Sequence, residues 1–284
     1  LKLEFADRTG TIEGRLWEGA ARIDRQFETG TAVAVYGTVE LWRQNVQVKV
    51  EDMRPAAAQE YAIGDLIRSV ENPEELFEKI KSCLRKNIAN RWLSLLVGKL
   101  LDDAGFSAAF QKAPGAHSWH NAYCGGLMEH TYEVMVIVEK MCELYPEAQK
   151  DIALVGAFLH DIGKIYELDS TTFEYTPAGG LLGHLPIGYE LVSDVIKSLK
   201  DFPEDVALHL KHSILAHHGE YEQQSPVLPK TLEAIIVYHA DELVSQANAV
   251  KEVIASQATG DREWSNFISI KNRKFFLKRP DARE

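Results

Sequence analysis

Histidine and aspartate side chains at the ends of apolar helices are the residues of this chain that could do chemistry. Nine of the ten histidines fall between residues 117 and 218. The clearest case is a segment at residues 151–161. Nearly every position from Ile152 to Leu159 is apolar, so the predicted helix should be buried all round. It ends in His160 and Asp161, and a buried carboxylate is costly unless a positive charge, such as a divalent cation, neutralises it.

The same residue types recur on the apolar stripes of other predicted helices. His130 and Asp241 each lie on such a stripe. A third stripe ends in two adjacent histidines before Gly219, a residue that can terminate the helix and let both side chains turn towards one site. Any one of them alone is better explained as a satisfied core residue, since buried histidines are common. Together they predict a metal site built from His130, His160, Asp161, His184, His217, His218 and Asp241.

The donor types restrict the metal and the chemistry. Imidazole and carboxylate ligands without thiolates suit Mn, Fe, Co, Zn, Ni or Mg, and a carboxylate that can bridge suits a two-metal centre. A water or hydroxide held between two divalent ions is acidic enough to attack near neutral pH, and the ions also hold the phosphodiester oxygens during in-line displacement. Such a centre needs no serine or cysteine nucleophile.

The order of these residues resembles that of the HD-domain metal-dependent phosphohydrolases. The flanking sequences are closer still to the bacterial 3′-5′ exoribonucleases of the YhaM type, which join an OB-fold to an HD domain. The resemblance covers most of the chain, from the N-terminal strands to about residue 247. The stretches that carry it are HNAYCGGLMEHT at residues 120–131, HDIGK at 160–164, YTPAGGLLGH at 175–184 and HSILAHHG at 212–219.

The resemblance implies a division of the ligands between two divalent ions. Mn²⁺ is the expected ion, but imidazole and carboxylate donors do not by themselves identify the metal. The chain departs from the family pattern at Trp119-His120, where the family has two adjacent histidines, and at Gln224, where the family has glycine. Neither departure touches the ligand set. The resemblance implies one ion on His130, His160, Asp161 and Asp241 and a second on His184, His217 and His218, with Asp161 bridging.

Lys164 lies one helical turn beyond His160. If the helix continues, its ammonium shares the metal-facing side and can hold a non-bridging phosphate oxygen. The alternative is a solvated lysine at a helix C-terminus, which the helix dipole favours. The HDxGK context favours the first interpretation, with Asp161 and Lys164 as the catalytic residues.

The elements that must position these residues fall into two predicted domains, a small β domain and an all-α domain. Residues 1–55 hold four short apolar/polar alternations, and Gly37 within one of them favours a curled sheet or barrel. Residues 56–71 read as a linker. Residues 72–260 change to helical periodicity, with Asn72 as N-cap and Pro73 in the first turn. Further helices are predicted at about 88–103, 125–144, 148–160, 187–200, 204–218 and 230–248.

The N-terminal strands resemble an OB-fold, a fold of five strands of which four are recognisable. The missing strand would be the first, as expected for a chain that starts mid-barrel through truncation or disorder. OB-folds bind single strands by stacking bases on aromatic residues in a basic groove. For each aromatic residue taken alone, packing in the barrel core is nevertheless the preferred interpretation, and a solvated surface explains the arginines equally well. The candidate contacts are Phe5, Trp17, Tyr36, Trp42, Arg8, Arg15 and Arg43, with His120 from the helical domain.

Two segments are basic although the whole chain has a formal net charge of −11. Residues 81–112 hold six basic and two acidic side chains, and the tail at 261–284 holds seven basic and four acidic ones. Basic residues interleaved with aromatic residues can guide a strand towards the metals. The alternative, which the sequence leaves open, is that the aromatic residues dock the tail on the body. The tail's aromatic residues are Trp264, Phe267, Phe275 and Phe276.

Composition excludes several other classes of protein. An excess of eleven negative charges argues against a broad basic surface that coats nucleic acid. No apolar run approaches the ~20 residues that span a bilayer, and no charged-then-apolar leader opens the chain. Three cysteines without a CxxC pair are typical of reduced thiols. The sequence therefore predicts a cytoplasmic protein without membrane contact.

The expected function is a 3′-5′ exoribonuclease that captures single-stranded RNA, or single-stranded DNA, and releases nucleoside monophosphates by attack of a metal-bound hydroxide. An alternative is a phosphohydrolase of small nucleotides or cyclic dinucleotides, which would use the same ligands but has little use for a strand-binding module. A non-catalytic HD sensor ranks last, because such a protein could lose ligands freely. The sequence leaves a homo-oligomer open.

Overall fold

The computed structural model describes residues 1–17, 20, 23, 27–28, 30–42, 45–57, 59–61, 63–117, 121–258, 262–268 and 272–278. Two of the predicted substrate contacts, Arg43 and His120, lie outside these residues. The described chain forms a small β-sheet followed by a helical domain, which confirms the predicted fold class.

Four strands form the N-terminal sheet, in the order β1-β2-β4-β3. β1 (Lys2–Asp7) and β2 (Gly10–Leu16) form one antiparallel hairpin, and β3 (Val33–Trp42) and β4 (Asn45–Pro55) form a second. The hairpins join through parallel pairing of β2 with β4. Within the described residues β1 and β3 remain edges, so the OB-like sheet is open and not a closed barrel.

A small apolar core lies against this sheet. It consists of Leu16, Ile23, Val50 and Met53, and Phe5 packs against it. The core-packing interpretation of Phe5 is therefore right.

Three other aromatic residues predicted to pack in this core face solvent instead. Trp17, Tyr36 and Trp42 are 74%, 54% and 58% exposed. Successive side chains of an extended chain point to opposite faces, so the buried Leu16 directs Trp17 away from the core. Trp42 is the last residue of β3, at the tip of its hairpin and beyond the core. The core-packing prediction is wrong for these three residues.

Seven of the described helices in the helical domain correspond to predicted ones, whereas Ala104–Lys112, Lys164–Glu167 and Pro177–Leu182 were not predicted. A single 3₁₀ turn, Tyr221–Gln223, lies between the last two helices. The described α-helices are α1 (Ile63–Leu66), α2 (Pro73–Asn87), α3 (Arg91–Leu101), α4 (Ala104–Lys112), α5 (Gly126–Leu144), α6 (Lys150–Leu159), α7 (Lys164–Glu167), α8 (Pro177–Leu182), α9 (His184–Lys197), α10 (Glu204–Ala216) and α11 (Leu232–Gln257).

Helix α6 lies in the interior of the domain. Every residue from Ile152 to Leu159 is buried, as its all-apolar sequence predicted. The helix packs against α5, α10 and α11. Because these helices surround α6, the two residues that follow it are delivered to the middle of the domain.

The helical domain starts at the predicted position, but the capping interaction at its first helix differs from the predicted one. Pro73 opens α2, and Asn72 precedes it in the left-handed region at φ 51°. The Asn72 side chain makes no capping hydrogen bond. Its backbone carbonyl instead accepts from the amide of Leu76. Asparagine tolerates this conformation better than most residues, which explains its presence there.

The segment predicted as a linker contacts both domains. It contains α1, and the amide of Arg8 on the β1–β2 turn donates to the carbonyl of Asp65 at 3.2 Å. On the other side, the amide of Val70 donates to the carbonyl of Cys124 at 2.9 Å, and the amide of Cys124 donates to Arg68 at 3.0 Å. The segment is therefore attached to the helical domain by backbone pairing.

None of the helices in the described part of the chain is long and apolar enough to cross a membrane.

Candidate metal centre

The ends of three helices and the inward faces of α5 and α11 bring all seven predicted ligands together. Helices α6 and α10 stop where their histidines begin, so these imidazoles leave the helix surface and point to a common volume. Gly219, with φ 78°, reverses the chain directly after α10. The seven residues are His130 on α5, His160 and Asp161 after α6, His184 at the start of α9, His217 and His218 after α10, and Asp241 on α11.

One oxygen of Asp161 faces the first group of ligands. Oδ2 of Asp161 lies 3.3 Å from Nε2 of His160 and 3.6 Å from Nε2 of His130. Oδ1 of Asp241 lies 3.0 Å from Nε2 of His130 and 3.9 Å from Nε2 of His160. Two imidazole nitrogens and two carboxylate oxygens therefore converge on one small volume.

The other oxygen of Asp161 faces a different group. Oδ1 lies 3.4 Å from Nε2 of His184 and 3.4 Å from Nε2 of His217. Nε2 of His218 lies 3.2 Å from Nε2 of His184. Oδ1 of Asp161 is buried and accepts no hydrogen bond in the described structure. A buried carboxylate oxygen without a donor is costly, and a cation would satisfy it.

Backbone carbonyls fix the orientation of three of the histidines. A ring nitrogen that faces a carbonyl oxygen must carry the proton, so the neutral ring presents the lone pair of Nε2 to the centre. Sequence reasoning did not foresee these contacts, because any backbone carbonyl can make them. Nδ1 of His160 donates to the carbonyl of Ala157 at 2.7 Å, and Nδ1 of His217 donates to the carbonyl of Ile214 at 2.8 Å. Nδ1 of His218 donates to the carbonyl of Gln223 at 3.0 Å.

Glu167 does the same for His184 and was missed by the sequence analysis. Its carboxylate oxygen Oε1 accepts from Nδ1 of His184 at 3.1 Å and from the backbone amide of His184 at 2.9 Å. The lone pairs of His184 and His218 consequently face each other across 3.2 Å, an arrangement that only a cation between them makes favourable. A glutamate on the element after HDIGK, buried in the fold, was the available signal.

The glycine of HDIGK is required for close packing. Gly163 has an ordinary helical φ of −64°, so conformational freedom does not explain it. A Cβ at this position would overlap the carbonyl oxygen of His184 and crowd the amide of Gly188. The absence of a side chain therefore lets the loop that carries Asp161 approach the start of α9, which carries His184.

Charges in the centre favour the metal-binding protonation states of Asp161, Asp241 and His218. For His160, burial opposes the charged form, but Asp161 outweighs burial and raises the pKa. Burial opposes ionisation of Asp161, but Lys164 and His160 outweigh it and hold the pKa of its carboxyl well below the usual range. Burial likewise opposes ionisation of Asp241, and the contact with His130 lowers its pKa overall. Burial and the neighbouring histidines lower the pKa of His218 to about 3. Ionised carboxylates and a neutral imidazole are the forms that metal ions require.

Comparisons with known proteins agree with this arrangement. Residues 127–245 match the HD domain family, and residues 1–56 match the OB-fold nucleic acid binding domain family. The chain is 30% identical over 281 residues to the 3′-5′ exoribonuclease YhaM of Bacillus velezensis and 30% identical over 283 residues to that of Bacillus subtilis. Both alignments cover 97% of this chain and 87% of the relative. The chain belongs to the YhaM family.

Membership of the YhaM family confirms the predicted resemblance and the predicted enzyme class, a metal-dependent HD-domain phosphohydrolase. It also confirms the combination of an OB-fold with an HD domain. The YhaM protein of Shouchella clausii is 29% identical over 279 residues. No solved structure matches the chain.

Lys164 contacts the metal centre, but from a separate helix and not from the predicted continuation of α6. The helix does not continue from His160, because α6 ends at Leu159 and Lys164 opens the separate short helix α7. Its Nζ nevertheless lies 2.6 Å from Oδ2 of Asp161. Burial disfavours the charged ammonium, but the Asp161 carboxylate outweighs burial and raises the pKa of Lys164. The alternative of a solvated lysine is therefore wrong, whereas the catalytic role stays a prediction.

A cleft of about 210 Å³ opens onto the centre beside Lys164. Three of its lining residues were not singled out by the sequence analysis, namely Gln223, Glu242 and Ser245. The hydroxyl of Ser245 donates to Oδ1 of Asp241 at 3.2 Å. Ser245 follows Asp241 by one helical turn, and this spacing was a usable signal.

The predicted nucleic-acid contacts of the sheet have local partners. Nε of Arg15 donates to Glu13 at 2.6 Å, and Nε of Arg8 lies 3.8 Å from Oδ1 of Asp65. Trp42 is exposed at the hairpin tip. These residues are absent from the metal centre, so their contact with a substrate stays a prediction.

Proposed function

We propose that this protein is a two-metal 3′-5′ exoribonuclease that shortens single-stranded RNA and releases nucleoside monophosphates. The observation that carries the proposal is Asp161, whose two carboxylate oxygens face two separate groups of histidines. A single ion on the side of His130 and His160 would leave Oδ1 buried without a partner, whereas Oδ2 already accepts from Lys164. The names of the relatives support the exoribonuclease activity, since each is a 3′-5′ exoribonuclease.

The residues fit a pair of divalent ions. Two ions would supply Lewis-acid stabilisation of the phosphodiester and would acidify water near neutral pH. Mn²⁺ is the first ion to test, with Fe, Co, Zn, Ni and Mg as alternatives, because imidazole/carboxylate sites discriminate poorly among them. One ion would be held by His130, His160, Asp161 and Asp241 and the other by His184, His217 and His218, with Asp161 shared. The two groups adjoin, since ligand atoms of His160, His217 and Asp241 also lie within 4.8 Å of one another.

Around this pair, side chains of the protein orient the ligands and the substrate. Glu167 keeps the Nε2 lone pair of His184 directed inward through its contact with Nδ1. Lys164 neutralises part of the charge on Asp161 and lines the cleft, where its ammonium can bind a non-bridging phosphate oxygen. The cleft is open to solvent, so a strand end can enter it without opening of the fold.

The domain organisation favours a single-stranded nucleic acid over a small nucleotide as the substrate. The N-terminal domain matches an OB-fold nucleic acid binding family, and its exposed Trp17 and Trp42 offer stacking surfaces. A hydrolase of free nucleotides or cyclic dinucleotides would use the same metal ligands but would give this domain no role. RNA is proposed before single-stranded DNA because of the activity named for the relatives.

The test uses the intact protein with Mn²⁺ and a 5′-labelled single-stranded RNA, beside the same RNA with a 3′-phosphate and beside a panel of free nucleotides. The expected result is a descending ladder of labelled products with nucleoside monophosphates in solution. Hydrolysis of free nucleotides without a ladder would refute the exoribonuclease and support the alternative.

The two-metal part is tested by counting ions. We expect two bound Mn²⁺ per chain in the wild type and loss of both ions and activity in Asp161→Ala, because this carboxylate contacts both groups of ligands. His239→Ala is the matched control, since His239 is an exposed histidine on the same helix as Asp241. Full activity with one ion per chain would contradict the two-metal proposal.

A further inference from the structure

The described part of the C-terminal tail folds back on itself as a small hairpin, residues 262–268 paired with residues 272–278. The amide of Ser265 donates to the carbonyl of Phe275 at 2.9 Å, and the amide of Leu277 donates to the carbonyl of Glu263 at 2.7 Å. Ser265 and Leu277 are only 2% and 3% exposed, so they anchor the hairpin. The amide of Asn266 also donates to Gln257, the last residue of α11, at 2.7 Å.

Three of the four aromatic residues of this C-terminal hairpin are not the anchor, whereas the fourth, Phe275, is partly buried. Trp264, Phe267 and Phe276 are 52%, 53% and 52% exposed. Trp264 and Phe276 form an edge-to-face pair with ring centroids 5.1 Å apart. Of the two interpretations that the sequence left open, docking of the tail by its aromatic residues is therefore wrong for these three. Half-exposed rings on an ordered hairpin are available for stacking.

The charge of the hairpin matches a polyanion. Its described residues include four basic side chains, Arg262, Arg273, Lys274 and Lys278, and one acidic side chain, Glu263. The chain as a whole has a formal net charge of −11, so the excess of basic side chains in the hairpin is opposite in sign to the charge of the whole chain. Aromatic rings next to cations are the combination by which proteins hold single-stranded nucleic acid.

The position of the hairpin separates it from the metal centre. Asp241 and Gln257 lie sixteen residues apart on α11, which is about 24 Å at a rise of roughly 1.5 Å per residue. At roughly 3.4 Å per stacked nucleotide, this distance corresponds to about seven nucleotides. The same end of α11 approaches the OB-like domain, because Glu252 pairs with Arg68 at 3.3 Å, beside α1 and the β1–β2 turn.

We infer that the C-terminal hairpin is a second single-stranded RNA contact, which holds the substrate several nucleotides upstream of the 3′ end that enters the metal centre. The inference rests on RNA being the substrate, as proposed above. Stacking on Trp264, Phe267 and Phe276 supplies the contact to bases, and the basic side chains hold the backbone. Because the C-terminal hairpin lies far from the cleft, it contacts long RNA strands and does not contact very short ones.

The test compares kcat/KM on a 20-nucleotide single-stranded RNA with kcat/KM on a dinucleotide, in wild type and in Trp264→Ala/Phe267→Ala/Phe276→Ala. The ratio of the two values is expected to fall about tenfold, since loss of base stacking weakens binding only of the strand that reaches the hairpin. Leu144→Ala is the control, because Leu144 is an apolar residue at the end of α5, outside the hairpin, and is 71% exposed. It should leave the ratio at the wild-type value.

Further variants and measurements keep the outcomes distinct. Lys274→Gln/Lys278→Gln leaves the rings in place and should reduce the salt dependence of 20-mer binding, and Trp264→Tyr should retain affinity. A triple variant with the wild-type ratio would overturn the inference, as would one whose only change is oligomeric state by light scattering, which identifies the hairpin as a subunit contact. If the wild type degrades neither RNA, the proposed function itself fails.

Discussion

The candidate metal centre and the N-terminal sheet both carry predicted functional residues, but they hold them in opposite ways. In the centre, His160, Asp161 and His217 are at most 2% exposed. In the sheet, Trp17 and Trp42 are more than half exposed. Burial makes an unpartnered polar group costly, so a polar residue in an apolar helix marks a function. Exposure costs little, so the sequence of the sheet does not distinguish a binding residue from a solvated one.

The two regions also differ in what fixes their side chains. Each imidazole of the centre except His130 donates through Nδ1 to a carbonyl or a carboxylate, which leaves one ring orientation. A centre that polarises a phosphodiester requires this precision. On the sheet, exposed rings can stack on any base, which suits binding without sequence preference. The comparison therefore predicts large, specific effects for changes in the centre and small, graded effects for changes on the sheet.

Among variants that keep both ions, the largest effect is expected from Lys164→Ala. Loss of the ammonium that lies 2.6 Å from Asp161 and lines the cleft should lower kcat by about 10²- to 10³-fold, comparable to removal of one charge-stabilising donor. Metal content should stay at the wild-type value in elemental analysis. Lys140→Ala changes an exposed lysine on α5 and serves as the control. An unchanged kcat would remove Lys164 from the mechanism.

A smaller effect is expected from Glu167→Gln. The amide removes the negative charge that holds Nδ1 of His184, so the affinity for one of the two ions should fall by about 10- to 100-fold. Activity titrated against Mn²⁺ measures this affinity, and excess Mn²⁺ should restore most of the rate. Glu143→Gln, at an exposed position, should titrate like the wild type. An identical titration curve for both variants would show that Glu167 has no positioning role.

Gly163→Ala tests whether the centre depends on close backbone approach. The added methyl group overlaps a backbone carbonyl that cannot rotate away, so we expect a loss of about 1–3 kcal/mol in the free energy of unfolding. Urea unfolding followed by circular dichroism measures it. Gly64→Ala is the matched control, because nothing lies within 4 Å of a Cβ there. Equal stability of the two variants would contradict the packing explanation.

The smallest effect is expected on the sheet. Trp17→Ala removes an exposed ring, and its loss should weaken binding of a single-stranded RNA by about fivefold, near the lower end of base-stacking energies. Fluorescence anisotropy in EDTA, where turnover stops, measures the affinity. Leu41→Ala removes an equally exposed apolar side chain from the same sheet and should have no effect. If Trp17→Ala lowered the affinity for RNA by as large a factor as Lys164→Ala lowers kcat, the proposed distinction between the two regions would be wrong.

Much of the fold and of the metal centre could be predicted from the sequence, because the apolar runs and the histidine and aspartate residues within them are conspicuous. The all-apolar run before His160 predicts a buried helix, and α6 is buried throughout. Stripes that contain His130 or Asp241 predict that these side chains point inward, and both face the centre. The alternation of residues 1–55 predicts four strands, and the structure has them.

The failures share one physical cause, which is that each depends on tertiary contacts that no local sequence pattern encodes. The exposed Trp17, Tyr36 and Trp42 were expected inside, because an aromatic residue in a strand is compatible with either face. The expected continuation of the helix to Lys164 failed because loop geometry after α6 is decided by packing against α9. Glu167 was missed because its importance depends only on a neighbour seventeen residues away.

The residues that could bind metal can be recognised without coordinates, because apolar surroundings make His160 and Asp161 improbable without a partner. The division into a sheet and a helical domain can be recognised in the same way, since hydrophobic periodicity is local. Three features required the folded structure: the two oxygens of Asp161 face different histidines, Glu167 orients His184, and three rings of the C-terminal hairpin point to solvent. These features depend on contacts between segments distant in sequence, which packing alone brings together.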